Sequence, residues 1–255
     1  MNIGIAQITD SPVGESEITE WVQESMDALP EADMILLPEL ALCGYDDPHR
    51  VRRLALNKEG TVLHGLARLA AKKRQALVFG YAERADDGLY NALQAIDDKG
   101  RVRADYRKIH LWPGHETVLF QAGGGFTCFA LGGLRFGLLI CYDLDFPEAA
   151  RVQALRGMDC LLCISATAHG HEVVPRHVVP TRAYENGCFV AFANRGDRAC
   201  VGQSRIVGPD GSVIAALTGG GGASVLSGEI SLEILERWRQ GHAYLAERRT
   251  DLYPL

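Results

Sequence analysis

The sequence predicts an α/β fold built on mixed β-sheet. Short runs rich in Ile, Leu, Val and Phe recur along the chain, and several are separated by segments with the period of an amphipathic helix. Other runs are joined by turns too short to hold a helix. A helical crossover makes neighbouring strands parallel and a tight turn makes them antiparallel, so a chain that uses both builds a mixed sheet.

The first strand is expected at residues 3–8. Residues 18–29 then place Ile18, Trp21, Val22, Ser25, Met26 and Leu29 on one helical face. A buried strand is expected at 34–37, a helix at 61–73 and a strand at 76–80. Residues 90–97 and 102–107, joined through Lys99-Gly100, form a hairpin. Residues 134–140 are a strand and 147–156 a helix, with Pro147 near the first turn, where a missing N–H costs little. Strands follow at 161–165 and 189–193. A second hairpin joins 205–207 to 213–216 through Pro209-Asp210-Gly211, and the glycine runs at 123–125 and 219–222 are expected as loops. No stretch has linker composition and no internal repeat is visible, so residues 1–255 are expected to form one domain.

An apolar share of 47% against 23% charged residues is that of a globular chain, and 255 residues bury a core without disulfide or metal support. The net charge is −6 and no basic block or stripe occurs, which argues against a nucleic-acid partner or an anionic membrane surface. The N-terminus lacks the pattern of a secretory signal, and no apolar run is long enough to span a bilayer, so a cytoplasmic location is expected. Seven cysteines, an odd number scattered through apolar segments, fit reduced thiols better than a disulfide framework.

Four segments set a reactive side chain at or near a strand end. In Leu36-Leu37-Pro38-Glu39, the Glu39 carboxylate stands at the edge of a dry core, where burial raises its pKa toward general-base work. In Tyr106-Arg107-Lys108-Ile109-His110, strand alternation puts Lys108 on the face of Tyr106 and His110. A fixed cation there can lower a thiol's pKa and hold a developing oxyanion. Cys141 ends the strand Gly137-Leu138-Leu139-Ile140 and precedes a helix opened by Phe146-Pro147-Glu148, a turn that can expose a nucleophile and aim a backbone N–H at a substrate oxygen. A thiol with an ordinary pKa is only a few per cent thiolate at neutral pH, so this site needs a base or cation nearby. Glu116, in His115-Glu116-Thr117, supplies a second carboxylate. Taken singly, a lone Glu or Lys is more often solvated and a lone Cys more often inert.

In order, these segments resemble the nitrilase-like carbon-nitrogen hydrolases. The likeness is carried by Pro38-Glu39 with Gly44-Tyr45, Tyr106-Arg107-Lys108 with His110-Leu111, Glu116 with Phe120 and Gly123, and Ile140-Cys141-Tyr142-Asp143 with Phe146-Pro147-Glu148. It continues through Gly80, Tyr90-Asn91, Arg182-Ala183 with Glu185-Asn186, Ala193-Asn194-Arg195, Gly202 with Ser204, Pro209 with Gly211, and Arg248-Arg249 with Tyr253.

The resemblance implies a four-layer α-β-β-α sandwich with two mixed sheets and a Glu-Lys-Cys triad assisted by a second Glu. Carried over, Glu39 is the general base and Cys141 the nucleophile. Lys108 and the Tyr142 backbone N–H hold the oxyanion, and Glu116 positions the substrate or tunes the local charge. The reaction implied is cleavage of a small amide to acid and ammonia through a thioester, without cofactor or metal, in a chain that pairs at least as a homodimer. A nitrilase or an N-carbamoyl amidohydrolase would use the same triad; the compact length, free of long insertions, favours the amidase. A catalytically silent scaffold and a thiol redox protein are the rivals from other classes. Retention of all four reactive positions argues against the first, and the second needs a second reactive cysteine.

Tyr45, His169 and Arg176 are expected as substrate contacts. Many relatives carry a Trp ahead of the Arg182-Ala183 segment, and none stands there in this chain. His169, His171 and His177 lack the spacing of a tight zinc site. Cys160 and Cys163 have redox-motif spacing but sit within an apolar strand, so they are expected in the core.

Overall fold

The structure, a computed structural model, describes residues 1–218 and 221–252. Its twelve strands form two six-stranded sheets. The first contains β1 (Asn2–Gln7), β2 (Met34–Leu36), β3 (Ala76–Ala85), β4 (Gly88–Ile96), β5 (Val102–Arg107) and β12 (Ser224–Glu229), in the order β12-β1-β2-β3-β4-β5. The second contains β6 (Cys128–Leu131), β7 (Leu134–Ile140), β8 (Cys160–Ser165), β9 (Phe189–Asn194), β10 (Arg205–Val207) and β11 (Val213–Ala216), in the order β11-β10-β9-β8-β7-β6.

Both sheets are mixed, and for one reason. Where a helix crosses between strands the pair is parallel, as in β1/β2, β2/β3, β7/β8 and β8/β9. Where a turn joins them, as in β3/β4, β4/β5, β6/β7 and β10/β11, the pair is antiparallel. Asp97 fixes the turn between β4 and β5: its Oδ1 accepts the backbone N–H groups of Lys99 (3.0 Å) and Arg101 (2.9 Å).

The crossover helices cover the outer faces. On the first sheet lie α1 (Ile18–Asp27) and α3 (Thr61–Lys73), with the short α2 (Pro48–Arg53) between them in sequence. Ile18, Val22, Met26, Leu63 and Leu66 pack there on Ile35, Leu77 and Phe79. The second sheet carries α5 (Pro147–Leu155) and α6 (Val179–Asn186), whose Ala149, Ala150, Val179 and Ala183 join the core built on Leu138, Leu162 and Phe192. That core also takes in Ile3, Ile5, Met34 and Val78 of the first sheet, so the two sheets face each other across apolar side chains. The layers are therefore α-β-β-α. The remaining helices are α4 (His115–Leu119) and α7 (Leu232–Gly241).

The expected elements are present, most within two residues of their bounds. The strand at 76–80 instead runs on to Ala85, because Glu83 and Arg84, polar in sequence, stay in register with β4. Part of the glycine run at 219–222, and Tyr253, lie outside the described residues. No helix among the described residues is long and apolar enough to cross a membrane.

Candidate active site

The two sheets deliver their reactive side chains to one place. Glu39 follows β2, Lys108 follows β5, and Cys141 follows β7. β2 is buried, β7 almost wholly so and β5 on one face, so the side chains just beyond them emerge at the strand ends with their backbone still anchored. Glu39, Lys108 and Glu116 are fully buried, unlike the solvated positions such residue types usually take.

Their contacts determine what each can do. Lys108 Nζ donates to Glu39 Oε1 at 2.7 Å and to Glu116 Oε1 at 2.8 Å. An ammonium has three donors, so one remains for a further acceptor. Glu39 Oε1 also accepts from Asn91 Nδ2 at 2.7 Å, whereas Glu39 Oε2 is buried with no partner among the described residues. Glu116 is spent on both oxygens: Oε1 also accepts the Tyr45 hydroxyl at 2.6 Å and Oε2 accepts the Trp112 backbone N–H at 2.9 Å. The site thus has one unspent carboxylate oxygen and one unspent ammonium proton.

Cys141 opens a 3-10 turn, Cys141–Asp145, with φ of +48°. Leu40, the residue after Glu39, has the same φ of +48°. Left-handed backbone at two non-glycine residues, both at the site, is strain that the surrounding structure must hold. Around the sulfur, Asp143 does the holding. Its Oδ2 accepts the Tyr106 hydroxyl (2.7 Å) and the Ile140 N–H (3.1 Å), while Oδ1 accepts the His110 N–H (2.8 Å) and lies 2.8 Å from His110 Nδ1. The His110 ring in turn stacks on Phe146 at 3.9 Å between centroids. The Tyr142 N–H, in the first turn of this segment, has no acceptor within the turn.

Electrostatics set the resting protonation. Burial pushes the Cys141 thiol up to about 12; Glu39 and Glu116 add to the rise, against Lys108 and a hydrogen bond from Ser165. A cation beside a thiol was expected to lower its pKa, and the Lys108 ammonium does act that way. Desolvation and two neighbouring carboxylates outweigh it, so the sulfur rests as S–H. Burial likewise raises Glu39, with Glu116 adding and Lys108 opposing. Burial works against the Lys108 ammonium, but Glu39, Cys141 and Glu116 overcome it and Lys108 stays charged.

A cavity of about 230 Å³ opens over Cys141. Tyr45, Trp112, Tyr142 and Val174 form apolar walls, and Asp145, His115 and His171 also line it. The sequence pointed to Tyr45, which is here. It also pointed to His169 and Arg176, and neither lines this cavity. After β8 the chain turns outward through Gly170, leaving His169 exposed and 3.8 Å from Glu172. Arg176 is exposed on a one-turn π segment, Val174–Val178, and its Nε donates to Gln203 Oε1 at 3.1 Å. That pair of expected substrate contacts is therefore corrected: His171 and Trp112 take the wall in their place. Cys160 and Cys163 are buried within β8, as the strand pattern required.

Asn91, His115 and Asp145 are site residues that sequence reasoning did not assign. Asn91 belongs to the motif series, and only the placement of β4 beside the strand-end loop matches its amide to Glu39.

The carbon-nitrogen hydrolase family model matches residues 3–240. A hydrolase encoded in the pqqF 5′ region of Pseudomonas protegens is 37% identical over 261 residues, covering 99% of this chain and 90% of the relative. An (R)-stereoselective amidase of a Pseudomonas species is 31% identical, covering 87% of this chain and 81% of its own length. Among solved structures, an amidase variant from Nesterenkonia, showing Michael addition of acrylamide at its active-site cysteine, superposes with a TM-score of 0.84 at 28% identity. That match covers 100% of this chain and 98% of the other.

Proposed function

The chain belongs to the carbon-nitrogen hydrolase family, and from that premise we propose that it hydrolyses a small linear amide to its acid and ammonia through a thioester on Cys141. The observation that carries this is one unspent oxygen on Glu39 and one unspent proton on a clamped ammonium, both groups acting electrostatically on the half-buried Cys141 thiol.

The steps follow from those contacts. The thiol rests protonated, so attack needs a base, and Glu39 Oε2 takes the proton as sulfur adds to the amide carbon. Negative charge moves onto the substrate oxygen. The third Lys108 proton and the Tyr142 N–H meet it, a kind of contact typically worth ~3 kcal/mol in the transition state. Glu39 returns the proton to the departing nitrogen and ammonia leaves. Water then gives its proton to Glu39 and attacks the thioester, releasing the acid and the thiol. Glu116 holds Lys108, Tyr45 and Trp112 in place, and both its oxygens are occupied by those contacts.

A cavity of about 230 Å³ lies below the roughly 300–1,000 Å³ of drug-sized sites, which supports a small substrate. The similarity to an (R)-stereoselective amidase and to an amidase whose active-site cysteine is alkylated by acrylamide supports amides ahead of nitriles or ureido acids. Ammonia release from a panel of amides, nitriles and ureido acids tests this. The expected result is turnover on at least one aliphatic amide, lost by 10³-fold or more, an order-of-magnitude figure, in Cys141→Ala. Turnover of nitriles or ureido acids alone would move the chain to another branch of the family.

A further inference from the structure

On the amidase reading above, the cavity also indicates which amides it takes. Asp145 closes the turn that Cys141 opens, and both line the same space. No donor among the described residues hydrogen-bonds its carboxylate. The cations around it are committed elsewhere. Arg182 directs Nε to the Leu144 carbonyl (2.9 Å), Nη2 to the carbonyl of Asp145 itself (3.1 Å) and Nη1 to the Glu185 carboxylate (3.0 Å). Lys108 is held between Glu39 and Glu116. Among the described residues no lysine or arginine lines the cavity, and His115 and His171 are its basic side chains.

Two further features point the same way. Trp112 and Tyr142, which wall the cavity, meet edge to face at 4.9 Å between centroids, and an aromatic face attracts an ammonium. His115 Nε2 is buried there with no partner, so the space offers a hydrogen-bonding site that a purely alkyl substrate leaves unused.

We propose that the acyl portion of the substrate carries a protonated amine, held by the Asp145 carboxylate against Trp112 and Tyr142, and that the same carboxylate disfavours amides bearing a carboxylate. An ammonium brought beside Asp145 gives its carboxylate the direct ion-pair partner that it has nowhere among the described residues. Partial burial pushes the Asp145 carboxyl up while Arg182, His171 and Lys108 pull it down, and an ammonium contact adds to the second group.

The test compares three amides of similar size: β-alaninamide, with a terminal ammonium; butyramide, with a methyl in its place; and succinamate, with a carboxylate. Wild-type enzyme is expected to rank them in that order by kcat/KM, with about tenfold between the first two, or ~1.4 kcal/mol. In Asp145→Asn the ratio of β-alaninamide to butyramide is expected to fall by about that factor, mainly through KM. Butyramide turned over at least as well as β-alaninamide by the wild type, or a ratio unmoved in the variant, overturns the proposal while leaving the amidase reading intact. Should the variant fail to fold, the wild-type ranking decides. If none of the three releases ammonia and Cys141 takes up no acyl group, the amidase reading falls and this one with it.

Discussion

Glu39 takes its role from the unequal use of its two oxygens. Oε1 is bound by Lys108 and Asn91, and Oε2 is left unpaired. Burial raises its pKa above the ordinary carboxylate value of 4.5, so the base protonates, and becomes inactive, at a higher pH than an exposed Glu would. The acid limb of kcat/KM is therefore expected with a midpoint above that value. With the Cys141 thiol at about 12, no rise in rate should follow the titration of an ordinary thiol near pH 8.5. A rate that climbs through pH 8–9 would mean that free thiolate is the attacking species and that Glu39 is not its base. Glu39, Lys108, Glu116 and Cys141 were legible because each stands in a short motif with its own local context. Asp145 and His115 were not, because an aspartate or histidine beside a helix start has several ordinary uses. Only the cavity distinguishes among them.

Elements place these residues through close backbone approach as much as through side chains. Gly80, in the middle of β3, passes against the loop that carries Glu39. A Cβ there would stand 2.6 Å from both the Leu40 nitrogen and the Pro38 oxygen, and 2.8 Å from Ile164 Cδ1. Two of those atoms are backbone and cannot swing aside. Gly80→Ala is expected to cost about 1–3 kcal/mol of stability, seen as a lower denaturation midpoint. It should also lower kcat by tenfold or more, since small displacements of a catalytic group are expensive. A variant with full kcat would show that the Glu39 loop is not positioned by β3.

The apolar strands and the helices 61–73 and 147–155 were readable from period and composition. Others were not. β12 (SVLSGE) is a largely exposed edge strand containing glycine, so propensity argued against it until its pairing with β1 overrode it. α4 has only five residues, too short for a periodic signal, yet it carries Glu116.

At the scale of the whole molecule, each sheet repeats one pairing pattern: antiparallel, parallel, parallel, antiparallel, antiparallel. No repeat is visible in the sequence, because strand order and handedness of crossover constrain topology without constraining side chains. The consequence for chemistry is that base and cation come from one sheet while nucleophile and Ser165 come from the other. Catalysis on this account depends on the two sheets keeping their apolar contact, and that contact was legible only as a set of buried strands, not as a facing pair.

The most direct test is mass spectrometry of the wild-type protein, quenched in acid during turnover of an amide identified by ammonia release and then digested. The account predicts one acyl group, on the peptide that carries Cys141, and none on the six other cysteines or anywhere in Cys141→Ala. Ammonia release undiminished in Cys141→Ala, or an acyl group found on a different cysteine, would contradict it.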